Sequence, residues 1–287
     1  MTSGMLIQAI VNGLNIGVVY ALLALGLTLL FGIMEILFFA HGAMFMFGAY
    51  VAYYLTVGVG LNYFLAGIAA IVVIGFFGVL VEKVLFRPIR GQMMAVFFVA
   101  ISLNWFLESV GLISFGVKGK RIPTVFEGSL EFLGASVTWE RVAVVLIGLV
   151  AVAALHLFLT RSKWGLQMRA FAEDPETAEL QGISQDFVCT LGFFIGCGLA
   201  ALAGFLVAPV FLVSPIMGGH AVLTGLLVIA IGGLGSIPGA LIGALVIGFI
   251  ESFGATFIGP RFTWGPVFIF AFAFLLIRPT GFLGHKE

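Results

Sequence analysis

The sequence predicts an all-α fold, a polytopic transmembrane helical bundle of about eight or nine spans, and three observations carry that expectation. Charged residues are 9% of the 287 residues, hydrophobic ones are 62%, and the mean hydropathy is +1.23. A soluble domain carries roughly 25% charge, so this chain suits lipid rather than water as its solvent. Its apolar runs are about twice the roughly ten-residue length of a membrane-barrel strand, and polarity does not alternate along them. Thirty-nine glycines, mostly inside the runs, supply the small residues that membrane helices pack through.

At about 20 apolar residues per crossing, the spans are 6–31, 36–57, 61–82, 94–115, 142–160, 187–213, 221–233, 238–257 and 263–277. The first lacks a basic flank and exceeds the length of a signal core, so it reads as a span, not a cleaved signal. Segments 221–233 and 238–257 are one long stretch broken by the run Gly232 to Gly239. The first piece is too short to cross without tilt or a re-entrant path, hence eight or nine. Lys83, Arg87, Arg90, Arg161, Lys163, Arg169, Arg278 and Lys286 fall on one side; Lys118, Lys120, Arg121, Arg141 and Arg261 fall on the other. The richer side is the cytoplasm by the positive-inside rule, which puts the C-terminus in and, with nine crossings, the N-terminus out. Loops 116–141 and 161–186 are the two hydrophilic connections, and both are too short for a domain. Residues 1–287 therefore read as one membrane domain, with 161–186 its main cytoplasmic loop.

Composition also excludes functions. Thirteen basic and 13 acidic residues balance to zero, which argues against a nucleic-acid partner. Cys189 and Cys197 are about 12 Å apart along a helix, too far to bridge, and read as packing residues. No paired acid and base marks a catalytic centre, no cluster has metal-ligand spacing, and no cofactor is implied. A Walker A sequence is absent, so any ATP is hydrolysed by another chain.

The candidate functional residues form four groups. Gly235, Gly239 and Gly243, followed by Gly248 and Gly254, make one small-residue ladder, and Gly192, Gly196, Ala200 and Gly204 make another. Within the break, Gly232, Gly233, Gly235 and Pro238 free backbone groups at membrane depth, which need protein or water around them, so a cavity-lining or gating role stands beside plain helix packing. The segment Phe38 to Tyr50 is the second group. Phe39, His41, Gly42 and Phe45 sit among aromatics and methionines that make an adaptable apolar lining. The other reading has His41 at a helix start near the interface, with the phenylalanines facing lipid. Third, Glu108 is the one carboxylate well inside a span, with Asn104 one turn before it on the same face, and a hydrogen bond between helices is the simpler reading than a proton relay. Glu35, Glu82 and Glu251 lie toward span edges, and His156 is a lone interfacial residue. Fourth, the loop offers Asp174 as N-cap, Pro175 at the first helical position, Glu176 in the first turn and Gly182 at the end, a helix of about two turns over 175–181. Ala178 and Ile183 with Glu176 and Glu179 give it a mixed face, for docking or for lying on the membrane.

These motifs resemble a known family. Asn15 through Tyr50, with Tyr20 to Thr28, Phe39-Ala40-His41-Gly42 and Met46-Phe47-Gly48-Ala49-Tyr50, resembles the permeases of ATP-binding-cassette importers for branched-chain amino acids, the LivH branch fitting best. Arg169-Ala170 to Gly182-Ile183 looks like that family's cytoplasmic coupling segment, and Gly232 to Ala240 and Arg278 to Gly284 match in family order. The resemblance implies an inner-membrane permease that pairs with a second, usually paralogous, permease subunit. A periplasmic binding protein delivers substrate, and two ATP-binding subunits dock on the loop through Arg169, Glu173, Asp174, Pro175, Glu176, Ala178 and Gly182. Where the amino-acid branch often carries Asn and an acid, this chain has Phe38 and Ala43, a more apolar motif that would suit a larger or more hydrophobic substrate; relatives also import urea, short amides and aromatic acids. The rival reading from the residues is a self-sufficient channel or secondary carrier, resting on Glu108, Glu251 and the broken segment.

Overall fold

The computed structural model describes residues 3–123, 125–126, 128–132, 135–259 and 262–284. Arg261 and Lys286, counted above for orientation, lie outside them. Among the described residues the order is α1 (Ser3–Met34), α2 (His41–Tyr53), α3 (Tyr63–Val81), α4 (Met93–Phe115), β1 (Ser129–Phe132), β2 (Ala135–Thr138), α5 (Trp139–Arg161), α6 (Lys163–Glu173), α7 (Pro175–Leu180), α8 (Gln185–Val207), α9 (Met217–Gly232), α10 (Ile237–Phe257) and α11 (Trp264–Ile277). Six of these helices are long and apolar enough to cross a membrane, while α9 and α11 are shorter apolar helices. The strands are an antiparallel hairpin with Leu130 opposite Val137, a small departure from the all-α expectation. Gln8 of α1 accepts a bond from the Ser136 amide, which ties the hairpin to the start of α1. The molecule thus has a hairpin end, and an opposite loop end that carries α6 and α7.

The 32-residue α1 is apolar on all its faces and forms the centre, flanked by α8 and α10. In lipid, association rests on close packing rather than on expulsion of water, so small residues decide where backbones meet. The two ladders do this. Gly192 and Gly196 face Ile33 and Leu30 of α1, and Gly204 meets the Phe45 carbonyl of α2. Gly248 of α10 meets Gly17 of α1. By contrast, α4 and α5 are peripheral, with Trp105, Phe106, Ile113 and Val150 exposed.

Two helices start inside the bundle rather than at its ends. His41, the first residue of α2, hydrogen-bonds the Leu23 carbonyl of α1 at 3.2 Å and packs against Gly26. Gly26 lies about 12 Å short of the end of α1. The chain between, from Glu35 with φ +54 to Ala40, therefore returns into the bundle without helix, and Phe38 there is fully buried among Phe86 and Phe193. Irregular backbone at this depth is tolerated because protein surrounds it. The expected span 36–57 becomes a shorter helix extended by a π-helical turn, Tyr54–Gly58. At the same level α9 begins: a Cβ on Gly42 would collide with the Gly218 carbonyl, so α2 and α9 cross backbone to backbone at their first turns.

The break between α9 and α10 is a reversal, not an interruption. Gly232 abuts Gly239, and Gly243 abuts the Val228 carbonyl, so the two helices run antiparallel. Gly233 and Gly235 adopt φ +104 and +77, which only glycine takes without strain. Ser236 then caps α10, accepting from the Gly239 amide at 3.1 Å. The terminal segment closes the other side: the Phe282 and Leu283 amides donate to the Ile231 and Gly232 carbonyls at 2.7 and 3.0 Å. At the same end, Arg90 binds the fully buried Glu82 carboxylate at 2.6 Å and Asp186 at 2.8 Å, Arg87 also pairs with Asp186, and Thr190 donates to Glu82 at 2.9 Å. This clamp fixes the end of α3 to the start of α8.

Candidate functional site

Three cavities sort the residues singled out from sequence. The loop-end cavity, ≈ 470 Å³, lies between the last turns of α1, at Thr28 and Gly32, the helix α6 through Met168, Arg169, Ala172 and Glu173, and the turn Gly235, Ser236, Ile237 and Pro238. Two groups that the sequence left unrelated, Arg169 with Glu173 and Gly235 with Pro238, therefore share one space. Gly232 and Gly233 stand behind this wall, in contact with Gly239 and Gly284.

The helices that bring Arg169 and Glu173 here are set by capping. Ser162 caps α6 through the Gly165 amide at 2.9 Å, and Asp174 ends α6 and caps α7 through the Thr177 amide at 3.1 Å. The Thr177 hydroxyl bonds the second Asp174 oxygen, and these two donors hold the Asp174 carboxyl below the usual carboxylate range. Gly182 at φ +83 ends the unit, with the Ile183 amide on the Ala178 carbonyl at 3.0 Å. The expected helix 175–181 is thus present as α7. The 11-residue α6 was not expected. Its signal is Gly165, Met168 and Phe171, buried at helical spacing behind a Ser cap. Ala178 departs from the mixed docking face: it is buried, and Leu180, 86% exposed, is the apolar side chain that α7 presents instead. Arg169, Glu173, Asp174, Pro175, Glu176 and Gly182 are exposed.

The second cavity, ≈ 390 Å³, is a groove where α2 and α9 begin. It collects Phe39, Asn104, Glu108, Gly219 and His220. Phe39 meets Phe97 edge-on at 5.7 Å. Among the described residues Glu108 makes no hydrogen bond; its carboxylate instead faces the first turn of α9 at Gly219, where the positive helix end favours an anion. His41 lines none of these cavities. Its ring is fully buried between α1 and α2.

The hairpin-end cavity is the largest of the three, ≈ 550 Å³. Val19, Leu23, Phe45, Val207 and Ala221 make its apolar wall, and Asn15, Tyr20, Thr224, His220, Trp264 and Glu251 interrupt it. Tyr20 donates to Glu251 at 2.6 Å, and His220 stacks on Trp264 at 6.0 Å. Of the residues singled out from sequence, Phe45 and Glu251 lie here. Tyr20, 231 positions from Glu251, carried no signal that could pair them, although an acid within an apolar run is itself a pointer to a site.

Comparisons with known proteins agree with this geometry. A family profile described as "Branched-chain amino acid transport system / permease component" matches residues 9–277. The high-affinity branched-chain amino acid transport system permease protein BraD of Pseudomonas aeruginosa is 35% identical, over 98% of this chain and 96% of its own. The corresponding LivH of Escherichia coli is 32% identical over the same shares. Among solved structures, PsaBC from Streptococcus pneumoniae in complex with Fab matches 95% of this chain and 90% of its own, with a TM-score of 0.50 and 15% identity, a likeness of fold. This multi-pass membrane protein belongs to the branched-chain amino acid transport system permease family.

Proposed function

We propose that this chain is one of two permease subunits of an ATP-binding-cassette importer of the bacterial inner membrane, carrying branched-chain amino acids or a related small solute. Substrate arrives from a periplasmic binding protein, and the second permease is a paralogue. Residues 1–287 form one membrane domain of eight or nine spans, the loop end faces the cytoplasm with the C-terminus, and the hairpin end faces out. Two ATP-binding subunits hydrolyse ATP and dock on 161–186.

The observation that carries the reading is the loop-end cavity, where Arg169 and Glu173 of an exposed amphipathic helix meet the Gly235–Pro238 turn. A push on α6 and α7 from below reaches the start of α10, and through it α1, without crossing lipid. The exposed Leu180 on the capped α7 is the knob for a partner groove. Reconstituted with its partners, the complex is expected to take up leucine only with ATP. Glu173→Lys with Asp174→Lys, or Gly182→Asp, is expected to abolish that uptake and to weaken co-purification of the ATP-binding subunits. Unchanged uptake and unchanged co-purification in both variants would sink the coupling role. Solute flux through the purified chain alone, without ATP, would point to the channel or carrier reading.

A further inference from the structure

From the hairpin-end cavity we infer that Glu251 is the binding site for the ammonium group of the transported solute. The inference rests on the importer reading above and adds what the pathway recognises. An acid inside an apolar segment is costly unless it has a partner or a task. Glu251 has half a partner: Tyr20 donates to Oε2 at 2.6 Å, while Oε1 accepts no hydrogen bond among the described residues, and the residue lines the cavity. Among the described residues no lysine or arginine lines that space. The phenol orients the acid and leaves one oxygen free for a charged N–H donor.

The rest of the wall fits the remainder of such a solute. Val19, Leu23, Val207 and Ala221 offer an aliphatic surface in the same cavity, whose ≈ 550 Å³ lies within the roughly 300–1,000 Å³ of small-molecule sites. The chemistry recognised is therefore an aliphatic primary ammonium. A free carboxylate on the same carbon is tolerated, because the facing wall includes the first turn of α9 and carries no second acid.

The test uses the whole complex in nanodiscs, without binding protein, and saturation-transfer NMR, which reads weak ligands. Three probes share one carbon skeleton: leucine, 3-methylbutylamine, which keeps only the ammonium, and 4-methylpentanoate, which keeps only the carboxylate. Empty nanodiscs correct for partition into lipid. The amine is expected to bind, leucine to displace it, and the acid to give no signal. Glu251→Gln, which still accepts from Tyr20, is expected to weaken the amine by about tenfold or more, as loss of a charged hydrogen bond would. Equal binding of the acid and the amine, or an amine signal untouched by Glu251→Gln, overturns the assignment. Should that variant fail to assemble, Glu251→Asp decides: it keeps the charge and draws it back by one methylene, so weakened amine binding supports the site, and amine binding unchanged from wild type overturns it. ATP-driven leucine uptake with no Glu251-dependent amine binding defeats this inference alone. Glu251-dependent amine binding in a complex that never imports leucine defeats the substrate reading and leaves the ammonium site standing.

Discussion

The two end cavities share one wall, α1, and differ in what interrupts it. At the hairpin end the interruption is an acid carried by a long spanning helix and bonded to a tyrosine on another, in a cavity whose wall is mostly apolar. At the loop end the charges belong to α6, a short helix that is exposed on one face, and they stand beside a capped glycine turn. A charge held by spanning helices is placed to meet something small that enters the bundle. A charge held by a short capped helix is placed to move when something outside moves. The polar bonds differ in kind: among the described residues the loop end is tied by ion pairs and helix caps, the hairpin end by single hydrogen bonds such as Asn15 to the Arg141 carbonyl and Ser252 to the Ala9 carbonyl.

Breaking those ties should therefore hurt the loop end most. Arg90→Ala leaves the buried Glu82 carboxylate without its cation, and the expected cost is about 3–5 kcal/mol, read as a lowered melting temperature and reduced yield of assembled complex. Gly239→Ala puts a methyl against the Gly232 carbonyl, a backbone atom that cannot swing aside. The expected loss is about 1–3 kcal/mol, with α9 and α10 prised apart, seen as faster proteolysis between 232 and 239. Ser236→Ala removes the cap of α10 and is expected to cost about 1 kcal/mol, measured by thermal unfolding in detergent.

The smallest effect is a pH dependence at Asp174. Its carboxyl is held low by the Thr177 donors, so the charged cap favours the folded loop above the ordinary carboxylate value, and that contribution disappears as pH falls through the depressed one. The expected outcome is a stability gap between wild type and Asp174→Asn that is present at neutral pH and closes in acid. A gap that persists unchanged in acid would show that the cap does not act through its charge.

Much of this was legible, and the failures have causes. The run of α1, with no break and no charge, gave a span near its observed bounds, because length and apolarity decide whether a helix crosses, whereas 187–213 overran the end of α8 at Val207. Asp174-Pro175-Glu176 and Gly182 gave α7, because capping is local chemistry. The early turn at Glu35 to Ala40 was not legible: residues 36–57 are apolar but for His41 and Thr56, and only the packing of His41 under Leu23 shows that the helix starts deep. The run Gly232 to Gly239 announced a break but not its direction, since reversal depends on Gly243 finding the Val228 carbonyl. The Tyr20 and Glu251 pair depends on the whole topology, as does the meeting of Asn104 and Glu108 with α9.

The closure of α9 by Phe282 and Leu283 bears on how the protein is made. The last carbonyls of α9 take their donors from residues that lie 51 positions later in the chain, beyond α10 and α11. While the chain is still growing, α9 has no finished lower end, and its neighbours must hold it in place provisionally. That closure forms only after α10 and α11 have been made, and replacing Phe282 and Leu283 by proline, which removes both donors, should leave a chain that inserts yet does not mature.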